Sequence, residues 1–146
     1  MNTSNLAQLY EKDETAWLDE MAQLVKEQQL EMIDFQNLYS FLWDMAQRDR
    51  REVLSRLKIL LVHKLKLDFQ PEQRSSSCRN TILEQQDQLQ DLLESKTLYR
   101  HAQEILAKAF GGATSLAARE TGIDEKKFPK ECPLSLEQLL GENLLS

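Results

Sequence analysis

Two histidines, His63 and His101, carry the side chains best suited to acid–base or metal chemistry near neutral pH. A carboxylate metal site in a helical bundle would place a glutamate three residues before a histidine. Leu60 and Leu98 stand at those two positions, so the spacing predicts no metal site. His63 lies beside aliphatic residues, which leaves two interpretations. In the first, His63 is a general base or a metal ligand. In the second, which we favour, it is a core histidine that is hydrogen-bonded to a neighbour.

Motifs of known catalytic sites are absent from the sequence. There is no glycine-rich dinucleotide fingerprint, no phosphate-binding loop, no HExxH helix and no GxSxG turn. Cys78 and Cys132 are far apart and neither belongs to a CxxC pair, which argues against a disulfide framework or a zinc site. The sequence therefore predicts no catalytic residue, no cofactor and no metal.

The segment 74–79 could bind an anion. Arg74 and Arg79 flank serines that are candidate N-caps of a helix, and helix N-terminal amides attract negative charge. Arg74, Ser77 and Arg79 are thus candidate ligands of phosphate or sulfate. Capping by the serines, with solvated arginines, explains the same residues without a ligand.

Charge is unevenly spread along the 146 residues, whose net charge is −6. Residues 1–47 contain two basic and nine acidic side chains, residues 48–80 nine and four, and residues 81–146 seven and eleven. The basic segment 48–80 could bind nucleic acid, or it could pack among acidic helices of the same chain. The overall charge repels a polyanion and no aromatic residue separates the arginines, so nucleic-acid binding is the less favoured interpretation.

Apolar residues at steps of three and four predict five amphipathic helices, and the four glycines and three prolines are too few for a β-sandwich. The predicted starts are Asp13, Asp34, Arg48, residues 75–77, and Ser95 or Thr97. No glycine or proline separates the second and third helices, so they could also form one long helix. Gly122 is a suitable residue to end the fifth helix.

The second predicted helix has an unusually broad apolar surface. Its inward-facing residues are expected to be Phe35, Leu38, Tyr39, Leu42 and Met45. Phe41 and Trp43 widen this face, so we expect neighbours on two sides of the helix.

We predict an all-α protein, a compact bundle of about five helices in a single domain over residues 1–146. Residues 123–146 form a partly extended tail on the bundle, in which Ser135 and Gln138 cap a short helix, Leu136–Leu140. No stretch of about 20 apolar residues is present to span a membrane. The polar start lacks the pattern of a signal peptide, so we expect a cytoplasmic protein.

Short motifs in a fixed order resemble a known family. They are Leu9-Tyr10-Glu11-Lys12-Asp13 with Trp17-Leu18, Asp34 with Asn37-Leu38, the run from Leu60 to Lys66, Gln70-Pro71, Arg74-Ser75, Thr81-Ile82, Ala117 to Gly122, Phe128-Pro129 and Cys132-Pro133. The chain is similar over residues 8–145 to the bacterial, largely cyanobacterial "domain of unknown function 29" family. The resemblance implies a compact all-helical domain without an established activity. It also makes Asp34, Asn37 and His63 candidates for a polar core or a site.

Two positions depart from the pattern of that family. Paired glutamates usually follow the Asn-Leu motif, where this chain has Ser40 and Phe41, and a tryptophan usually stands at the position of Cys78. If relatives use those acids with the histidine, this chain has lost them. We therefore expect a non-enzymatic interaction or regulatory module that binds an unknown protein, or its own copy through the fourth or fifth helix. The alternatives are a hydrolase or metal-dependent enzyme centred on His63, and a weak nucleic-acid or anion binder through residues 48–80.

The anion hypothesis predicts that phosphate raises the melting temperature, because a ligand of the folded state stabilises it by mass action. The rise should disappear in Arg79→Ala. Calorimetry at increasing phosphate concentration measures both. An unchanged melting temperature in the unsubstituted protein would contradict the site.

Overall fold

The structure is a computed structural model that describes residues 3–70 and 76–145. Its helices are α1 (Thr3–Lys12), α2 (Glu14–Lys26), α3 (Phe35–Phe69), α4 (Ser76–Leu92), α5 (Lys96–Thr121) and α6 (Leu136–Leu139). Short 3-10 turns cover Leu30–Met32, Glu125–Lys127 and Glu142–Leu145. The described residues contain no strand, and the predicted all-α fold of about five helices with a short C-terminal helix is confirmed.

Two of the five long helices, α1 and α3, differ from those predicted. The sequence pattern does not predict α1, whose apolar side chains are few, yet Leu6 on this helix is fully buried. The second and third predicted helices are one helix, α3, since residues 46–49 contain nothing that stops a helix. In the described ranges, no helix combines the length and apolar character needed to cross a membrane.

The chain divides into two compact units, Met1–Gln47 and Arg48–Ser146. Each unit has its own hydrophobic cluster, and the boundary falls within α3. Whether residues 1–146 act as a single domain stays a prediction.

In the C-terminal unit, leucines and valines of α3 are buried with apolar residues of α4 and alanines of α5. The fully buried members include Val53, Leu57, Leu60, Ile82, Leu89, Ala102, Ala109, Ala113 and Ala117. At Gly112 an added Cβ would lie 2.9 Å from Cε of Lys58, so the glycine provides room for that side chain. Ser95 caps α5, and Gly122 ends it at a positive φ of 76°, both as predicted.

Side chains of the C-terminal unit hold the segment 123–145. Gln86 donates from Nε2 to the carbonyls of Leu139 and Gly141, at 2.8 and 3.1 Å. Lys64 donates from Nζ to the carbonyl of Leu144 at 3.1 Å. The capping box of α6, between Ser135 and Gln138, is present as predicted. These bonds satisfy carbonyl groups that irregular backbone would otherwise leave without partners.

Leu61, predicted to be core, is 2 % exposed, and we expect Leu61→Ala to lower the free energy of unfolding by about 2–5 kcal/mol. Leu83→Ala is the matched control, since Leu83 on α4 is 52 % exposed and its truncation should cost no more than about 0.5 kcal/mol. Urea unfolding followed by circular dichroism measures both. Equal losses would contradict the assignment of the core.

Candidate functional site

The N-terminal unit is organised around one buried polar contact. Trp17 of α2 is fully buried, and its indole Nε1 donates to Oδ2 of Asp34 at 3.2 Å. The Tyr10 ring packs edge-on against the Trp17 ring, with ring centroids 4.7 Å apart. The centroid of the Phe41 ring, on α3, lies 6.0 Å from that of Trp17. The contact joins residues 17 positions apart in the sequence, and so it fixes α3 to α2 within this unit.

Asp34 also begins α3. Its Oδ1 accepts from the backbone N–H of Asn37 at 3.3 Å, which is the N-cap hydrogen bond expected from the sequence. The side-chain amide of Asn37 donates to Oδ2 of the same carboxylate at 2.7 Å. Asp34 is 3 % exposed, and these donors compensate the cost of removing its carboxylate from water. The structure thus brings together two predicted candidates, Asp34 and Asn37, with Trp17 as the third member.

The hydrogen bonds of Asp34 with Trp17 and Asn37, which we call the Asp34 anchor, determine which face of the start of α3 is turned toward α2. Leu38 and Phe41 pack on the buried cluster of Leu6, Trp17, Met21 and Ile33. At 3.6 residues per turn, the positions 35, 39, 42 and 43 are centred roughly 115° around the helix from that buried side. These four residues, Phe35, Tyr39, Leu42 and Trp43, point away from the cluster, and we name them the α3 stripe.

The α3 stripe is a set of large side chains in contact with solvent. Phe35 is 60 % exposed, Tyr39 68 %, Leu42 58 % and Trp43 56 %. The expectation that Phe35, Tyr39 and Leu42 face a core is therefore wrong. Periodicity identifies apolar positions correctly, but those of this segment lie on two faces of α3, and the face with Leu38 and Phe41 is the one that packs on the buried cluster.

Exposed carboxylates far outnumber cations in the unit that contains the uncharged stripe. Residues 35–43 contain no charged side chain. The exposed acids of the unit are Glu11, Asp13, Glu14, Asp19, Glu20, Glu27, Glu31 and Asp44, and its basic residues are Lys12 and Lys26. Burial raises the pKa of Tyr10, and the carboxylates of Glu14 and Asp44 raise it further. The negative charge of this unit therefore acts on Tyr10.

His63 lies in the C-terminal unit and is half-buried on α3. Its Nδ1 is 2.9 Å from the carbonyl oxygen of Ile59, and since a carbonyl only accepts, Nδ1 carries the proton. The thiol of Cys78 lies 3.8 Å from the backbone carbonyl of His63. Among the described residues, no group of three His, Cys, Asp or Glu side chains could hold a metal ion. A functional role of His63 stays a prediction.

The candidate anion site is only partly described. Pro71, Arg74 and Ser75 lie outside the described residues. Ser77 and Arg79 are exposed in the first turn of α4, and the backbone carbonyl of Ser77 accepts from Thr81 at 3.0 Å. The anion site stays a prediction.

Several cations of the segment 48–80 have partners within the chain. Arg56 donates to Glu52 at 2.9 Å and to the amide oxygen of Gln85 at 3.1 Å. Further ion pairs join Arg48 to Asp49, Lys64 to Asp68 and Lys66 to Glu120. The pair of Lys66 with Glu120 of α5 is of the kind expected if the basic segment packs among acidic helices of its own chain, whereas the other ion pairs lie within α3.

Open clefts occur in the C-terminal unit. One of about 760 Å³ is lined by Lys64 and residues between Leu134 and Leu144. Its lysine is already bound to the carbonyl of Leu144 and to Asp68. A smaller one of about 200 Å³ is lined by Arg50, Thr97, Arg100, His101 and Glu104. The larger cleft is lined by no histidine, whereas the smaller one has a histidine, a carboxylate and a threonine hydroxyl in its lining.

A family model described as Domain of unknown function DUF29 matches residues 9–145, almost the whole chain. The chain belongs to this family. The resemblance seen in the sequence motifs is thereby confirmed. Comparisons with curated proteins and with solved structures found no significant match.

The part of the DUF29 chain that matches the family model begins on α1 and includes both the Trp17–Asp34 contact and the α3 stripe. The family description names no activity. A function for the DUF29 chain must therefore be argued from its side chains.

Asp34→Ala should destabilise the N-terminal unit of the DUF29 chain by about 2–4 kcal/mol, because it removes an N-cap and leaves the Trp17 N–H buried without an acceptor. Asp13→Ala is the matched control. Asp13 caps α2 through Ala16 but is exposed, so its loss should cost about 1 kcal/mol. Urea unfolding followed by tryptophan fluorescence measures both, and equal losses would show that the buried contact contributes nothing beyond capping.

Proposed function

We propose that this protein is a non-enzymatic protein-interaction module and that the α3 stripe is its binding surface. The observation that carries the proposal is the exposure, between 56 and 68 %, of four large apolar side chains on neighbouring turns of one helix. Single exposed apolar residues are normal, whereas a contiguous exposed patch is typical of a binding surface. Phe, Tyr and Trp are also the residue types enriched at the centres of interfaces.

The size of the stripe supports binding of moderate strength. With about 200 Å² for a whole aromatic side chain, the exposed parts amount to roughly 400 Å². At about 25 cal/mol per Å², covering that area yields roughly 10 kcal/mol before the costs of association. Those costs are about 4–15 kcal/mol, so the net affinity depends on how little the surface must reorganise.

The contacts that fix the start of α3 limit how far the stripe must reorganise on binding. Asp34 is bonded to Trp17 and Asn37, and Phe41 packs on the buried cluster. A rigid helix face loses little conformational entropy on binding, which favours affinity. The proposed surface is thus exposed and also fixed in orientation by its own unit.

The enzyme alternative has less support. A general base or metal ligand needs a positioned acid, nucleophile or metal beside it. The imidazole of His63 is hydrogen-bonded to the carbonyl of Ile59, and the thiol of Cys78 donates to the backbone carbonyl of His63, not to its ring. For the nucleic-acid alternative, the ion pairs of Arg56, Lys64 and Lys66 reduce the positive charge that a polyanion would meet. Self-association through α4 or α5 also has less support, because the large apolar residue exposed on those helices is a single leucine, Leu83.

We also propose that the protein acts in the cytoplasm, on the basis of Cys132. This residue is a free thiol in the structure. Burial raises its pKa, which keeps the thiol in the less reactive protonated form. Free thiols are typical of a reducing compartment.

A photo-cross-linker tests the binding function in the source cells. When Tyr39 is replaced by p-benzoylphenylalanine, ultraviolet light should produce an adduct with one protein, which mass spectrometry identifies. Leu42→Ser in the same chain should abolish most of that adduct, because it removes a central apolar contact. A second copy of this chain in the adduct would identify a homo-oligomer and would also support a protein-binding function.

The matched control places the same cross-linker at Leu83, an exposed apolar residue of α4. Its adducts should be weak and unaffected by Leu42→Ser. The absence of an adduct at Tyr39, or equal adducts at the two positions, would contradict the proposed function.

A further inference from the structure

The spacing of the α3 stripe matches that of a helix-binding face. Phe35, Tyr39 and Leu42 follow one another at steps of four and three residues. Later in the same helix, Val53, Leu57 and Leu60 have the same steps and are fully buried in a core built with α4 and α5. Rows of side chains at these steps form the ridges into which another helix packs. The stripe extends over about two turns, or roughly 12 Å, which suits a short helical segment.

The charge of the surrounding unit selects among possible helices. Residues 1–47 have nine acidic and two basic side chains, and all of these acids except Asp34 are exposed. The stripe segment 35–43 is itself uncharged. A helix with lysines or arginines beside its apolar face is attracted to this surface, whereas an acidic helix is repelled.

A second copy of this chain fits the surface less well. It would bring a second N-terminal unit with the same excess of carboxylates. The exposed stripe, at roughly 400 Å², is about half of the 800 Å² or so that each partner contributes to a stable interface, which suits a weak complex with any partner. The charge argument favours a separate partner with the opposite charge.

We infer that the α3 stripe binds a cationic amphipathic helix of a partner protein. The inference rests on the proposed binding function and specifies its ligand. The apolar face of that helix covers Tyr39, Leu42 and Trp43, and its cations meet exposed carboxylates of the N-terminal unit.

Three synthetic peptides of about 18 residues test the inference with the full chain. The first is an amphipathic leucine–lysine helix, the second replaces lysine by glutamate, and the third keeps the first composition but disperses the leucines around the helix. Trp43 reports binding through a blue shift and protection from acrylamide, while Trp17, already buried, changes little. The first peptide should bind with a micromolar dissociation constant, and the other two about tenfold or more weakly.

The salt dependence tests the electrostatic part of the inference, and a pair of matched variants tests whether the α3 stripe is the binding site. Raising sodium chloride from about 50 to about 300 mM should weaken the first peptide several-fold, because salt screens exposed charges. Leu42→Ser should weaken it about tenfold, as expected for a central apolar contact. Val25→Ser should leave it unchanged, since Val25 is 53 % exposed in the same unit but lies on α2.

Each outcome supports or overturns a defined part. If the glutamate peptide binds as tightly as the lysine peptide, the inference that the ligand is cationic is wrong. If Leu42→Ser and Val25→Ser change the affinity for the lysine peptide equally, the inference that the α3 stripe is the binding site is wrong. A concentration-dependent dimer that Leu42→Ser abolishes would make a second copy the occupant and overturn the inference. Failure of all peptides overturns it too, and the Tyr39 cross-link then decides separately whether the proposed binding function stands.

Discussion

The indole N–H of Trp17 and a carboxylate oxygen of Asp34 lie 3.2 Å apart in the centre of the N-terminal unit, and both side chains are buried. A carboxylate in such a place costs several kcal/mol unless donors surround it. Trp17 and Asn37 supply those donors, and the backbone N–H of Asn37 adds the cap of α3. One residue therefore begins the helix, joins it to α2 and determines which of its faces is inside.

That orientation has a consequence for the rest of α3. With Leu38 and Phe41 turned inward, the remaining apolar positions of residues 35–43 lie away from the buried cluster and are exposed. In the C-terminal half of the same helix, the corresponding spacing is covered by α4 and α5. Leaving Tyr39 and Trp43 uncovered costs the hydrophobic free energy that a neighbour would provide, and a partner bound at the proposed surface would recover it. The excess of carboxylates in this unit would favour a partner with positive charge.

Local features of the fold could be predicted from the sequence, because each depends on residues a few positions apart. The caps at Asp13, Asp34 and Ser95 and the left-handed residue Gly122 were all recognisable in this way. Asn37 stands three residues after Asp34, so their contact is also local. The partner of Asp34 across the fold, Trp17, carries no such signal, since its contact depends on tertiary packing.

What could not be predicted has a physical reason in each case. Periodicity shows that a face is apolar, but whether it is covered depends on where neighbouring helices run, which is why Tyr39 and Leu42 were expected inside. The joining of two predicted helices into α3 depends on residues 46–49, which neither favour nor forbid a break. α1 has few apolar residues, and packing of Leu6 on the Trp17 cluster accounts for its stability better than its own pattern does.

Hydroxyl-radical footprinting of the free protein tests the central claim most directly, since the claim is that the Asp34 anchor turns one apolar face of α3 inward and the other outward. Mass spectrometry gives the oxidation rate of each aromatic residue. The account predicts fast oxidation of Tyr39 and Trp43, slow oxidation of Trp17, and a faster rate at Trp17 in Asp34→Ala. Protection of Trp43 equal to that of Trp17 in the unsubstituted protein would contradict it.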